Sequence, residues 1–221
     1  MKPNTQLTYG IIGLGRFGTA LATGLAEAGC DILVLDQNED KIRAIRAYTD
    51  DAYVAASLSK ETLTEAGIAN CDVVVVCIGS QLDVSILTTL TVVSLGVKRV
   101  IAKATTKEQG EVLEKLGAEV IYPEHDMAIR LVKKLTSGSL IEYLSLSNQI
   151  EISEIMVTDK LIGKTLLEAN LRARFSINVI ALEHGDTTEI TLSPEYTFSD
   201  GDIIVVIGHG DDIKRFESYL N

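Results

Sequence analysis

The sequence lacks an apolar run long enough to span a bilayer, a metal-binding spacing of cysteine and histidine, and an excess of basic charge. Its two most apolar runs, Val73 to Ile78 and Val92 to Ile101, fall short of the roughly 18 residues a spanning helix needs, so neither is read as a membrane span. The opening Met1-Lys2-Pro3-Asn4-Thr5-Gln6 passes straight from polar residues into a strand pattern. It has no apolar leader core and no small-residue cleavage pattern, and a cytoplasmic chain is expected. Three cysteines, Cys30, Cys71 and Cys77, form no Cys-x-x-Cys pair. Each sits beside or within an apolar segment, which suits reduced core thiols rather than a metal or redox centre. With 20 Lys and Arg against 31 Asp and Glu, the net charge is −11, and clustered basic charge is what a nucleic-acid partner requires. No nucleic-acid partner is expected. His125, His184 and His209 are well separated and read as surface or loop positions.

What is present is a strand and helix alternation within 221 residues, enough for one large domain or two modest ones. From Tyr9 to Thr136, strands are read at Tyr9 to Gly13, Asp31 to Asp36, Ala52 to Ala55, Val73 to Ile78, Val100 to Ala102 and Val120 to Ile121. Helices between them are read at Phe17 to Ala28, Glu39 to Ala47, Lys60 to Ala66, Asp83 to Leu95 and Lys107 to Leu116. Gly29, Gly67, Gly96 and Gly117 each follow a helix, where positive φ closes the last turn. Val73 to Ile78 is apolar at every position, as the centre of a sheet covered on both faces must be. One more helix is read from Asp126 to Leu135, with Met127, Leu131, Val132 and Leu135 as a stripe for a core or a partner subunit.

The boundary is placed at Ser137-Gly138-Ser139, the one small, flexible tripeptide between ordered segments. This gives domains over residues 1–137 and 140–221. Beyond it, strands crowd together at Ile150 to Met156, Ile177 to Glu183, Glu189 to Leu192 and Ile203 to Gly208, with helices at Thr165 to Ala169 and Asp212 to Tyr219. Glu183-His184-Gly185-Asp186 reads as a hairpin turn. The fold class is therefore α/β, a Rossmann-like doubly wound parallel sheet, followed by a small α+β domain that favours pairing with another copy of itself.

Gly13-Leu14-Gly15-Arg16-Phe17-Gly18 leaves the first strand and opens a helix. In that setting Gly13 permits the tight turn, Gly15 the approach of a phosphate to the backbone, and Gly18 close helix–strand packing. The amides at the helix start face an anion, favoured by the helix dipole. Asp36 ends the second strand at about the 20-residue spacing of the acid that takes ribose hydroxyls, and its charge repels a 2′-phosphate. A Rossmann fold that keeps its glycines for packing alone is the competing explanation. Arg16 places a guanidinium inside the phosphate loop, where a bidentate donor suits a terminal phosphate. It tilts the reading toward ATP or ADP, although a solvated arginine at a helix start has the same appearance.

Other patterns fail. Gly163-Lys164-Thr165 imitates the end of a P-loop, but the required earlier glycine is Thr158. No nucleophile elbow and no nucleophile with an adjacent base is present, and no enzymatic activity is expected.

Taken together, Gly13 to Gly18, Val34-Leu35-Asp36-Gln37-Asn38, Ile101-Ala102-Lys103-Ala104, Tyr122-Pro123-Glu124-His125-Asp126-Met127 and Val205-Val206-Ile207-Gly208-His209 resemble the regulatory subunits of Ktr and Trk potassium transporters. The resemblance covers nearly the whole chain and is to the short cytoplasmic subunit type, an RCK (KTN) nucleotide-binding domain followed by an RCK C-terminal domain. It implies that Arg16 holds the ATP γ-phosphate, Asp36 the ribose and Asn38 the adenine end, with Ile78, Gly79 and Lys103 lining the pocket. Glu124 would reach the phosphates or a divalent or sodium ion shared between subunits. Phe17, within the motif, and Ser57, in the Ala55-Ala56-Ser57 turn, complete this candidate site. The resemblance further implies dimers assembled into an octameric ring beneath a membrane potassium transporter, reshaped by exchange of ATP for ADP. It also implies cyclic di-AMP between two C-terminal domains, with Leu166 and Pro194 beside it, Arg172 on a phosphate, and Asn178 with Val179 bracketing the base. Asn170 stands where aspartate is commoner in that family, and Val179 where isoleucine is.

Two other readings stay open: an NAD(H)-binding oxidoreductase or sensor, and a cyclic-dinucleotide receptor whose first site is vestigial.

Overall fold

The structure, a computed structural model, describes residues 7–79, 81–136, 139–146, 149–185 and 187–220. The chain divides into two compact units, Met1–Met127 and Ala128–Asn221.

In the first unit, β1 (Thr8–Ile12), β2 (Asp31–Asp36), β3 (Ala52–Val54), β4 (Val73–Val76), β5 (Arg99–Lys103) and β6 (Glu119–Ile121) form one parallel sheet in the order β3-β2-β1-β4-β5-β6. The helices are α1 (Arg16–Glu27), α2 (Glu39–Ile45), α3 (Lys60–Glu65), α4 (Leu82–Ser94) and α5 (Lys107–Lys115). Strand side chains alternate between two cores. Ile11, Val34, Val73 and Val75 pack with Ala22 and Ile42 on one face. Ile12, Leu35, Val74 and Val76 pack with Leu63, Val92 and Leu113 on the other. All four residues of β4 are buried, as its unbroken apolar run requires. Gly29, Gly67, Gly96 and Gly117 have φ of +79°, +89°, +80° and +96°, so the glycine punctuation does close each preceding helix.

The expected boundary at Ser137-Gly138-Ser139 does not coincide with the division between units. A continuous helix, α6 (Pro123–Thr136), begins three residues earlier than read and carries the division at Met127/Ala128. Ser137 and Gly138 lie outside the described residues.

The second unit is a five-stranded antiparallel sheet, β10-β9-β11-β8-β7, built from β7 (Leu140–Ser145), β8 (Ile150–Met156), β9 (Asn178–His184), β10 (Thr187–Glu189) and β11 (Ile203–His209). Helices α7 (Leu166–Ala169), α8 (Leu171–Phe175) and α9 (Gly210–Leu220) accompany it. The hairpin is present, with Thr187 opposite His184 and Gly185 at φ +58°. Its return strand is Thr187–Glu189 rather than Glu189 to Leu192, because a tight turn puts the β-branched Thr187 and Thr188 straight into the ladder. Asp186 lies outside the described residues. Gly163-Lys164-Thr165 is a helix entry: Thr165 Oγ1 accepts from Glu168 N at 3.1 Å, and Glu168 Oε2 accepts from Thr165 N at 2.9 Å.

His184 is more than a turn residue. Its Nδ1 lies 2.6 Å from Oδ1 of Asp202, a fully buried carboxylate whose Oδ2 accepts from Tyr196 OH and Ser199 N, each at 2.8 Å. A buried charge needs such partners. Burial, and then Asp202, push the Tyr196 phenol up to about 12. Phe216 on α9 is fully buried against Phe175, ring centroids 5.1 Å apart. Phe216→Ala should lower stability by about 3–5 kcal/mol, read as a lower urea midpoint for the second unit; a shift within about 0.5 kcal/mol would contradict this packing.

Candidate functional site

The carboxyl ends of β1, β2, β4 and β5 surround a cavity of about 660 Å³, the position at which open parallel sheets bind ligands. At its mouth the chain leaves β1 through Gly13, whose φ of +99° favours glycine and whose N–H donates to the Leu35 carbonyl at 2.8 Å. A Cβ on Gly18 would collide with the Gly13 carbonyl oxygen and sit 3.1 Å from Cys77 Cβ. Gly13 and Gly18 are thus needed by the fold. Gly15 is not. Its φ of −71° suits any residue, and a Cβ there would meet nothing within 4 Å. The space beside it belongs to the cavity.

Gly15 is also the N-cap of α1, a helix of 12 residues with no side-chain cap and no acid in its first turn. Its first amides therefore lack a side-chain acceptor and point a partial positive charge outward. Arg16 follows, exposed. Phe17 is half-buried under Lys103, whose Nζ is 6.0 Å from the ring centroid.

Asp36 is buried, and the fold uses both of its oxygens. Oδ2 accepts from Leu14 N at 2.5 Å and Oδ1 from Asn38 N at 2.8 Å, with Lys41 Nζ 3.5 Å from Oδ2. The carboxylate therefore ties the glycine loop to the end of β2 while still facing the cavity. Since an ionised carboxylate offers about four lone-pair sites, it retains capacity for a hydroxyl donor.

On the far wall, Lys103 is only 9% exposed and donates Nζ to Glu124 Oε1 at 2.5 Å, while the Glu124 side chain is 65% exposed. The Lys103 hydrogen bond holds the Glu124 carboxyl below the ordinary carboxylate range. Burial pushes the Cys77 thiol up to about 12, and Cys71 to about 11. Those two are core thiols; Cys30 is half-buried, since it sits in the turn before β2.

The cavity brings together Gly13, Gly15, Asp36, Ser57, Ile78, Gly79, Lys103 and Glu124. Arg16, Phe17 and Gly18 stand on the first turn of α1 without lining it. Asn38 does not line it either: its Oδ1 caps α2, accepting from Asp40 N at 2.9 Å and Lys41 N at 3.2 Å. Lys41 and Thr105 are among the lining residues that escaped the sequence reading. Lys41 could have been found as a cation one turn into the helix that follows the strand-end acid. Thr105 is held by the buried Gln109, whose Oε1 accepts from Thr105 N at 2.9 Å and Thr105 Oγ1 at 3.0 Å, while its Nε2 donates to Ser85 Oγ at 3.1 Å. No local pattern announces that relay. For a cation, the cavity lining offers the carboxylates of Glu124 and of Asp36, the latter already taken up by the Leu14 and Asn38 amides, and no group of three or more His, Cys, Asp or Glu suited to a metal occurs among the described residues.

In the second unit, α7 is tied to the loop before β11: Leu167 N donates to Pro194 O and Leu166 N to Tyr196 O, each at 2.9 Å. Asn170 joins α7 to α8 in the left-handed region, φ +45°, which asparagine tolerates better than most residues. Arg172 and Asn178 are exposed and Val179 is half-buried. β10 covers β9 over Leu182 to His184, and among the described residues no strand pairs with the start of β9 on that side.

The TrkA-N domain matches residues 9–123 and the TrkA-C domain residues 150–221. The chain is 37% identical over 212 residues to the Ktr system potassium uptake protein C of Bacillus subtilis (strain 168), covering 95% of each. It is 35% identical over 210 residues to the Ktr system potassium uptake protein A of Vibrio alginolyticus, covering 94% of each. Among solved structures, the GsuK RCK domain shares the fold with a TM-score of 0.50 at 22% identity, over 99% of this chain and 47% of that one. The GsuK channel bound to NAD gives 0.51 at 23%, over 97% of this chain and 38% of that one. The chain thus spans less than half the length of these two solved chains. Carrying both domains in this order, and matching the Ktr proteins along almost all of its length and theirs, the chain belongs to the TrkA-N/TrkA-C family of potassium uptake proteins.

Proposed function

We propose that the chain is a nucleotide-responsive gating subunit of a membrane potassium transporter, binding ATP or ADP in the cavity of its first unit. The observation that carries this is Gly15: no contact within the protein requires a glycine there, and the room it leaves adjoins uncapped helix amides and a cavity floored by Asp36. Phosphates would lie over Gly15 and the start of α1, with the ribose toward Asp36. Arg16 would close on a terminal phosphate, Lys103 would supply a buried counter-charge, and Asn38 would stand at the adenine end. Glu124 would contribute to a divalent or sodium ion completed by phosphate oxygens or a second copy. Ligand exchange would act as a population shift, each nucleotide favouring the assembly shape it binds better.

Assembly is supported by apolar side chains left in solvent. Leu87 and Leu90 on α4, and Met127, Leu131, Val132 and Leu135 on α6, are all largely exposed, as is expected of surfaces covered by further copies. The proposed arrangement is dimers within an octameric ring on the cytoplasmic face of the membrane. Among the described residues no helix is long and apolar enough to cross it. Cyclic di-AMP would occupy a cleft between two second units, against Leu166, Arg172, Asn178, Val179 and Pro194.

The test is calorimetric titration of protein stripped of carried-over ligand. Arg16→Ala should weaken ATP by about tenfold more than ADP, the scale of a lost charge-assisted hydrogen bond; equal losses would remove the γ-phosphate assignment. A second reading, NAD(H) as the ligand, draws on Asp36, whose place at the end of β2 serves a dinucleotide ribose equally well. Competition between ATP and NADH separates the two. A mass measurement of the assembly with ATP and then ADP tests the ring.

A further inference from the structure

The second unit carries a cluster of cations that neither the nucleotide cavity nor the start of β9 accounts for. Tyr219 on α9 lies beneath two of them: the Arg174 guanidinium carbon is 4.7 Å from the ring centroid and Lys160 Nζ is 5.4 Å from it. Arg174 also covers the Phe175 ring at 5.0 Å, and its Nη1 donates to the Ala169 carbonyl at 3.3 Å. Lys164, in the turn before α7, donates Nζ to the Lys160 carbonyl at 2.7 Å. Arg174 first, and then Lys164, hold the Tyr219 phenol below its ordinary range against the opposing effect of burial. Three cations from one turn and one helix thus bear on a single ring, each held by a contact of its own.

Acids outnumber bases 31 to 20 in this chain, yet none of the ion pairs among the described residues includes Lys160, Lys164 or Arg174. Lys164 helps to hold the Glu168 carboxyl below its ordinary range, after the Thr165 amide and hydroxyl, without forming an ion pair with it. A cation over an aromatic ring is ordinary. Bringing second and third charges of the same sign to that ring costs energy unless an anion comes between them.

We propose that Lys160, Lys164 and Arg174 form a surface anion site over Tyr219 for a phosphate group, as a monoester or a diester. A planar guanidinium fork and two ammonium groups offer more donors than the two oxygens of a carboxylate can use, whereas a phosphate monoester offers three free oxygens and up to two charges, and a diester two free oxygens beside two ester oxygens. The site is separate from Arg172: at 3.6 residues per turn, positions two apart fall on nearly opposite sides of a helix.

The test uses the full chain with 13C-labelled tyrosine, the Tyr219 signal being identified by its loss in Tyr219→Phe. Inorganic pyrophosphate is the soluble probe. Vesicles of phosphatidylglycerol in phosphatidylcholine, against phosphatidylcholine alone, are the headgroup probe. Pyrophosphate is expected to shift the Tyr219 signal saturably. Apparent affinity should fall at least about tenfold in Lys160→Ala/Lys164→Ala, the scale of lost charge-assisted contacts, and should be unchanged in Arg16→Ala, which reports on the first unit. Arg174→Lys, which keeps the charge and loses the fork, should fall between. Vesicle binding that depends on Lys160 and Lys164 without a pyrophosphate response would assign the phosphate to a lipid headgroup. A Tyr219 signal that ignores both probes, or that responds equally in the double variant, would overturn the site.

Discussion

Gly15→Ala should weaken ATP or ADP binding at least about tenfold and leave the unliganded protein within about 1 kcal/mol of its original stability. The backbone at Gly15 already suits alanine, and the added methyl would touch no protein atom. A stiffer unfolded chain favours the variant, whereas alanine is the poorer helix cap, so the two effects offset in part. The methyl would stand in the space assigned to a phosphate. Gly18→Ala is the control, because its methyl would strike the Gly13 carbonyl and disturb the loop itself. Calorimetry on both, alongside thermal melts, separates a glycine kept for a ligand from one kept for packing. Undiminished affinity in Gly15→Ala would remove the main support for the nucleotide reading.

Asp36→Ala is expected to cost about 2–6 kcal/mol in the absence of any ligand, since it strands the amides of Leu14 and Asn38, each worth about 1–3 kcal/mol when left without an acceptor. Asp36→Asn should recover only part of this, because one of its two terminal atoms is a donor facing a donor. Both variants should also lose nucleotide affinity, but part of that loss would come from a loosened glycine loop. Denaturant melts of ligand-free protein decide the matter. A variant that is as stable as the parent yet blind to nucleotide would make Asp36 a ribose contact only.

The sequence was most readable where local chemistry is strong. β2 (Asp31–Asp36) and β8 (Ile150–Met156) have the bounds read from the sequence, and four of the five helices α1 to α5 are followed by a glycine at positive φ, α2 being the exception. It was least readable where partners are distant. β7 carries Leu140-Ile141-Glu142-Tyr143-Leu144-Ser145, whose apolar and polar residues do not alternate, and it gains strand character from pairing with β8. α8 is only five residues long and follows the single left-handed Asn170, so the helix read at Thr165 to Ala169 covers α7 and not α8. At the site, the glycine loop and the strand-end acid were legible as a motif. That Asp36 braces the loop, that Asn38 spends its side chain on a cap, and that Gln109 secures Thr105 depend on hydrogen bonds that no motif encodes.

Cys77 sits at the end of β4, directly behind Gly18 and within the cavity wall. Its thiol titrates near 12 because it is buried, and only the thiolate attacks alkylating reagents. At neutral pH the group is therefore silent while the surrounding chain stays shut, and each modification event records a moment when it did not. With the half-buried Cys30 replaced, the pace at which an alkylating reagent labels this cysteine should therefore follow the opening of the cavity wall.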